Sequence, residues 1–133
     1  MPAPDITVMV VDDQAPFRAA ARAVVERTAG FRWVGDADSA EQALALVAER
    51  PPAMVVMDVH LGPVDGIEAT RRILAAAPST VVLLCSGHDR SDLPDGARTS
   101  GAAAYVDKAD LSGAVLRAVW EGRAGWDAAP AVR

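Results

Sequence analysis

Asp12, Asp13, Asp58, Ser86 and Lys108 have the side chains for phosphoryl chemistry. Three carboxylates brought close together repel one another and need a cation. This set offers hard oxygen ligands, with no thiolate or clustered imidazole in it. That suits Mg²⁺, which keeps several waters and uses few protein carboxylates. A hydroxyl and an ammonium, acting with such a metal, can hold the oxygens of a phosphoryl group. One carboxylate can then attack phosphorus and form an acyl phosphate, a known use of aspartate. Taken singly, each residue is also an ordinary turn or cap residue. The case rests on where the five fall along the chain.

They fall where apolar runs end. Ile6 to Val11 stops at Asp12-Asp13, and Met54 to Met57 stops at Asp58. Val81 to Cys85 stops at Ser86-Gly87, and Ala103 to Val106 stops at Asp107-Lys108. Phe31 to Gly35 is a weaker run. Apolar runs without polar alternation suit strands buried on both faces of a parallel sheet. Helical periods separate them. Phe17, Ala21, Val24, Val25 and Thr28 make one stripe, with Pro16 in its first turn. Ala40, Ala43, Leu44 and Val47 make a second, behind the capping-box pattern that starts at Ser39. Ile67, Thr70, Ile73, Leu74 and Ala77 make a third, opened by Asp65 and closed by Pro78. A fourth helix, short or distorted, is expected over about Ser91 to Ser100, since Pro94 and Gly96 fall inside it. Leu111, Val115, Ala118 and Val119 make the fifth. Strands alternating with helices give a doubly wound (βα)₅ α/β fold with helices on both faces of a parallel sheet. In such sheets ligands bind beyond the carboxyl ends of the strands, which is where the five residues lie.

Composition narrows the rest. The 133 residues suffice for one domain with a real core. With 51% hydrophobic and 23% charged residues the chain is not of the disordered class. No apolar stretch is long enough for a membrane span. The start, Met1-Pro2-Ala3-Pro4-Asp5, does not resemble a signal peptide, and Cys85 is the only cysteine. A cytoplasmic location is expected. The net charge of −5 argues against nucleic-acid binding by this chain alone.

The ordered motifs resemble the receiver domain of two-component response regulators. The matching pieces are Val10-Val11-Asp12-Asp13, Val55-Val56-Met57-Asp58 with Asp65-Gly66, Leu83-Leu84-Cys85-Ser86-Gly87, and Gly101 to Lys108. The resemblance covers about residues 5 to 122. It implies a CheY-like, flavodoxin-like sheet in the order 2-1-3-4-5. It implies that Asp58 accepts a phosphoryl group from the phosphohistidine of a sensor histidine kinase. Asp12, Asp13, Asp58 and the backbone carbonyl of His60 would hold Mg²⁺. Ser86, Gly87 and Lys108 would receive the phosphoryl group. Tyr105 would be the aromatic switch that moves inward when Ser86 is drawn to the phosphate. His60 and His88, each two residues beyond a site residue, are expected to tune hydrolysis of the acyl phosphate near pH 6–7, where imidazole titrates. The chain would thus be a phosphoacceptor that catalyses only its own phosphorylation and dephosphorylation.

Two departures stand out. Relatives often read Asp-x-x-x-Pro-Gly-x-Asp-Gly after the strand 3 aspartate. Here Gly62-Pro63 reverses that pair. Ala109 follows Lys108 where many relatives have proline; a residue other than proline there is usual in the NarL and LuxR-type subgroup, which this chain resembles. A receiver over residues 1–122 is therefore expected, with 123–133 as a tail or the start of a linker. The receiver part of a LuxR-type transcriptional regulator is the leading reading. A stand-alone receiver and a degenerate, binding-only one are the alternatives. Homodimer or effector contacts are expected through the helix 4–strand 5–helix 5 face or the helix 1/helix 5 face.

Overall fold

A computed structural model of the protein describes residues 5–87 and 93–126. Five parallel strands form one sheet in the order β2-β1-β3-β4-β5. They are β1 (Ile6–Val11), β2 (Phe31–Ala37), β3 (Met54–Asp58), β4 (Val81–Ser86) and β5 (Ala104–Asp107). The helices are α1 (Ala15–Glu26), α2 (Ala40–Glu49), α3 (Gly66–Ala76) and α4 (Gly113–Trp120). The sheet order reverses at β1, so the crevice between the ends of β1 and β3 is the switch point where doubly wound sheets take ligands.

Two cores form because successive strand residues face opposite ways. Met9, Val11, Val55, Met57, Leu84 and Tyr105 meet α2 and α3 residues such as Ala43, Val47 and Ile73. Val8, Val10, Val56, Leu83, Cys85 and Val106 meet Ala21 and Val25 of α1 and Val115 and Leu116 of α4. Each inner strand is buried on both faces, which is why its sequence, Thr7 of β1 aside, reads as an apolar run up to its last residue.

Local sequence sets the helix starts. Ser39 Oγ accepts from Gln42 N at 3.1 Å, and Gln42 Oε1 accepts from Asp38 N at 2.8 Å. Asp65 Oδ1 accepts from Glu68 N at 2.8 Å to open α3. Ser112 does the same for α4 through Val115 N. Helix α1 has no side-chain cap and begins with Pro16 in its first turn.

The fourth helix needs correction. Residues 91 and 92 lie outside the described residues, and from Leu93 to Ser100 there is no α-helix. The chain instead makes three-residue turns: Ala97 N to Pro94 O, Thr99 N to Gly96 O and Ser100 N to Ala97 O, at 3.2–3.3 Å. Pro94 lacks a donor, and Gly96 sits at φ +88°, outside helical space. The described residues therefore hold four α-helices, not five.

The weak second strand runs two residues further than expected, to Ala37. Its pairing with β1 slips between Val8–Trp33 and Met9–Gly35, leaving Val34 as a bulge. Past α4 the chain returns to the domain. Trp126 Nε1 donates to Ala102 O at 3.0 Å, with the Arg98 guanidinium 5.6 Å from the ring centre. Among the described residues, no helix is long and apolar enough to cross a membrane.

Candidate functional site

The ends of β1 and β3 bring Asp12, Asp13 and Asp58 together. One carboxylate oxygen from each lies within 4.8 Å of the others. Asp12 is fully buried and Asp58 is 4% exposed, while Asp13 is open to solvent. Asp12 N makes the last rung to β2 through Ala37 O at 3.0 Å. Asp12 Oδ1 accepts from Gln14 N at 2.8 Å, an Asx turn that leads into α1. Asp58 pairs with Cys85 across the sheet, and its Oδ1 accepts from His60 N at 3.3 Å.

Gly66 explains the Asp65-Gly66 motif. A Cβ at this position would lie 1.9 Å from the carbonyl oxygen of Asp58. The first residue of α3 must therefore be glycine for the helix to pack behind the Asp58 backbone. Gly66 N also donates to Val59 O at 2.9 Å, closing the loop that carries His60, Gly62 and Pro63.

Lys108 crosses from the end of β5 to this cluster. Its Nζ lies 2.7 Å from Asp12 Oδ2 and 3.7 Å from Asp58 Oδ2. Burial works to lower its pKa, but Asp12 and Asp58 outweigh that and hold it raised. Asp58 is raised as well, first by burial and then by the Asp12 charge; Lys108 and the His60 amide pull it back only in part. The Cys85 thiol, buried behind them, is pushed up by burial and next by Asp58, which fits a core residue.

The residues fit a divalent cation. Asp12 Oδ2 is buried, and the Lys108 ammonium at 2.7 Å is its one close partner among the described residues. Three clustered carboxylates share that one ammonium, so the cluster as a whole is short of positive charge. An all-oxygen donor set, two of its carboxylates buried, suits Mg²⁺ rather than a softer metal.

Of the other expected residues, Ser86, Gly87, Tyr105 and His60 lie at or beside the ends of β4, β5 and β3. Ser86 ends β4 and is 1% exposed. Gly87 is exposed, and a Cβ there would meet nothing within 4 Å. Tyr105 already lies inward, 5% exposed, and its OH donates to Asp107 Oδ1 at 2.9 Å. His60 is exposed beside Asp58. His88 lies outside the described residues.

Three residues of the α1 start were not picked out from the sequence. Gln14 Oε1 accepts from Lys108 Nζ at 3.4 Å, and the Phe17 ring centre lies 4.7 Å from the same nitrogen. Arg18 Nη1 donates to Asp12 O at 2.7 Å and Nε to Asp36 Oδ2 at 2.9 Å. Their one sequence signal was position: a helix that starts right after Asp12-Asp13 must set its first turn against the site.

Residues 8–119 match the response regulator receiver domain family. The chain belongs to that family. This receiver is 34% identical over 103 residues to the response regulator GacA of Pseudomonas aeruginosa, covering 77% of this chain and 48% of that protein. A two-component response regulator of the LuxR family from Aurantimonas sp. SI85-9A1 superimposes with a TM-score of 0.80 at 34% identity, over 90% of this chain and 88% of that one. The receiver domain of the histidine kinase CKI1 from Arabidopsis thaliana, complexed with Mg²⁺, superimposes with a TM-score of 0.72 at 28% identity, over 90% and 97%. The first two of these agree with the subgroup that Ala109 suggested. The receiver spans about half the length, or less, of the curated relatives it matches.

Proposed function

We propose that this receiver takes a phosphoryl group on Asp58 from a sensor histidine kinase in a Mg²⁺-dependent reaction. The observation that carries this is the cluster itself: three carboxylates at the switch point, two of them buried, and a single ammonium between those two. Asp12, Asp13, Asp58 and the His60 carbonyl would hold the metal. Bound Mg²⁺ would neutralise the carboxylates and the charge developing on the phosphoryl oxygens.

The chain's own groups divide the remaining work. An Asp58 oxygen attacks phosphorus, forming a P–O bond as the P–N bond to the kinase imidazole breaks and that imidazole leaves. Lys108, already 3.7 Å from Asp58, stabilises the transferred group electrostatically. Ser86 donates its hydroxyl to a phosphoryl oxygen, and Gly87 leaves the approach to phosphorus open. Tyr105 follows Ser86 as the switch. His60 and His88 set the lifetime of the acyl phosphate.

The resulting change alters contacts with a partner or a second copy, through the faces that include β5 and α4 or α1 and α4. Similarity to LuxR-family and other transcriptional regulators supports a role as the receiver part of such a regulator. Titration with beryllofluoride, a phosphoryl mimic, tests the reading. With Mg²⁺ present, the tryptophan fluorescence or amide spectrum should shift for the wild type and not for Asp58→Asn. Absence of a shift in the wild type would leave a binding-only receiver.

A further inference from the structure

The bulge at Val34 has a consequence for the acidic cluster. Paired residues of parallel strands share a face, and a slip of one residue turns the following side chains over. Phe31 and Trp33 pair with Ile6 and Val8 and lie on the α1 face. Without the bulge, Asp36 would pair with Val11 and face α2. With it, Asp36 pairs with Val10 and faces α1, while Ala37 pairs with Val11 and enters the opposite core. Bulges of this kind re-aim side chains beside active sites.

What Asp36 meets on that face is Arg18. Helix side chains lean toward the N-terminus, so Arg18, in the first turn of α1, reaches back to the end of β1. Its guanidinium spans two partners, the Asp12 carbonyl at 2.7 Å and the Asp36 carboxylate at 2.9 Å. The ion pair itself is half open to solvent, at 20% and 44% side-chain exposure. Pairs of that kind add little to stability. The bond to the Asp12 carbonyl is the informative one, because that carbonyl belongs to the peptide joining Asp12 to Asp13. The Asp12 carboxylate has its own restraints in Gln14 N and Lys108. The Asp13 carboxylate makes no hydrogen bond or ion pair among the described residues. With no contact holding the side chain, the path of its backbone decides whether it can reach the cluster.

We propose that Arg18 is a positioning residue for the metal site: anchored by Asp36, it fixes the Asp12–Asp13 peptide and so keeps the Asp13 carboxylate turned into the cluster. The role rests on the function proposed above. It requires a planar fork that makes two bonds in fixed directions, which a lysine ammonium does not supply. Outer-shell groups that orient metal ligands carry a substantial part of metal affinity.

The test is Mg²⁺ affinity, measured by calorimetry at fixed ionic strength on the whole chain. Wild type is compared with Arg18→Ala, Arg18→Lys and Asp36→Asn, each also melted without metal. Positioning predicts that Arg18→Ala and Arg18→Lys both weaken Mg²⁺ on the order of tenfold, and Asp36→Asn by less. It also predicts that the Asp13 amide resonance of the metal-free protein shifts in Arg18→Lys. A purely electrostatic role gives the opposite sign. Removing a cation near the site would tighten Mg²⁺ binding in Arg18→Ala and leave Arg18→Lys at wild-type affinity. A merely structural role would lower the metal-free melting temperature and leave Mg²⁺ affinity and the Asp13 resonance unchanged. Either result overturns the role while the function reading stands. A wild type that takes no Mg²⁺ overturns both.

Discussion

Replacing Gly66 by alanine puts one methyl group against the backbone of the acceptor residue. An ideal Cβ would sit 1.9 Å from Asp58 O, 2.8 Å from Asp58 C and 3.0 Å from Val59 Cα. All three are main-chain atoms, so no rotamer change relieves the clash. Ordinary contact begins near 3.4 Å, and the gap to be opened is therefore about 1.5 Å. Strand β3 will not yield, because Asp58 is paired with Cys85 and Val59 N donates to Cys85 O at 3.0 Å. The start of α3 must retreat instead. That strains the Gly66 N–Val59 O bond and the Asp65 cap. Overpacking of this kind costs about 1–3 kcal/mol, and a weakened hydrogen bond adds about 1 kcal/mol. The helix preference of alanine over glycine returns up to about 1 kcal/mol. The expected net loss is about 1–3 kcal/mol, read as a lower urea midpoint with an unchanged slope. Mg²⁺ affinity should fall with it, since the loop between Val59 and Gly66, which carries the His60 carbonyl, is what moves. Stability within about 0.5 kcal/mol of wild type, the range of neutral surface changes, would refute the reasoning.

Three further outcomes are expected. The Asp58 pKa is raised above 3.8 in the fold, so ionising it costs stability; the cost is absent below pH 3.8 and grows as pH rises through the folded value. Metal-free Asp58→Asn should therefore exceed wild-type stability at neutral pH, with the margin closing toward pH 3.8; urea midpoints in chelator across that range check it, and a less stable variant at pH 7 would contradict it. Asp65→Ala removes the α3 cap and should cost about 1 kcal/mol in the same assay. Trp126→Ala loses the bond to Ala102 O and the Arg98 contact and should cost about 1–2 kcal/mol. An unchanged midpoint would mean that the indole does not dock in solution.

The sequence disclosed most where burial is two-sided. β1, β3 and β4 are apolar apart from Thr7 and the last residues of β3 and β4 because both faces meet helices, and the polar residues ending them stand out for that reason. β2 was legible only in its first five residues. It is an edge strand of alternating burial, and its continuation through Asp36 depends on a bulge whose one sequence mark is the neighbouring Gly35, at φ +148°. Asp12, Asp13, Asp58 and Lys108 were legible as a group because each follows a strand, and the fold brings them together. Arg18 was not, since a single arginine in an amphipathic helix looks like surface charge until its partners are seen. Gly66 read as part of a motif, but the reason for it is the Asp58 carbonyl, a contact across a loop. Pro94 and Gly96 did signal trouble for a helix after β4, and their effect was larger than a distortion: the described part is turns alone.

The central claim is that Asp58 accepts the phosphoryl group with a divalent metal held beside it. Intact-mass measurement after incubation with acetyl phosphate tests it most directly. With Mg²⁺ the wild type should gain the mass of one phosphoryl group, and the gain should disappear in chelator and in Asp58→Asn. No gain in the wild type, or an equal gain in Asp58→Asn, would contradict it.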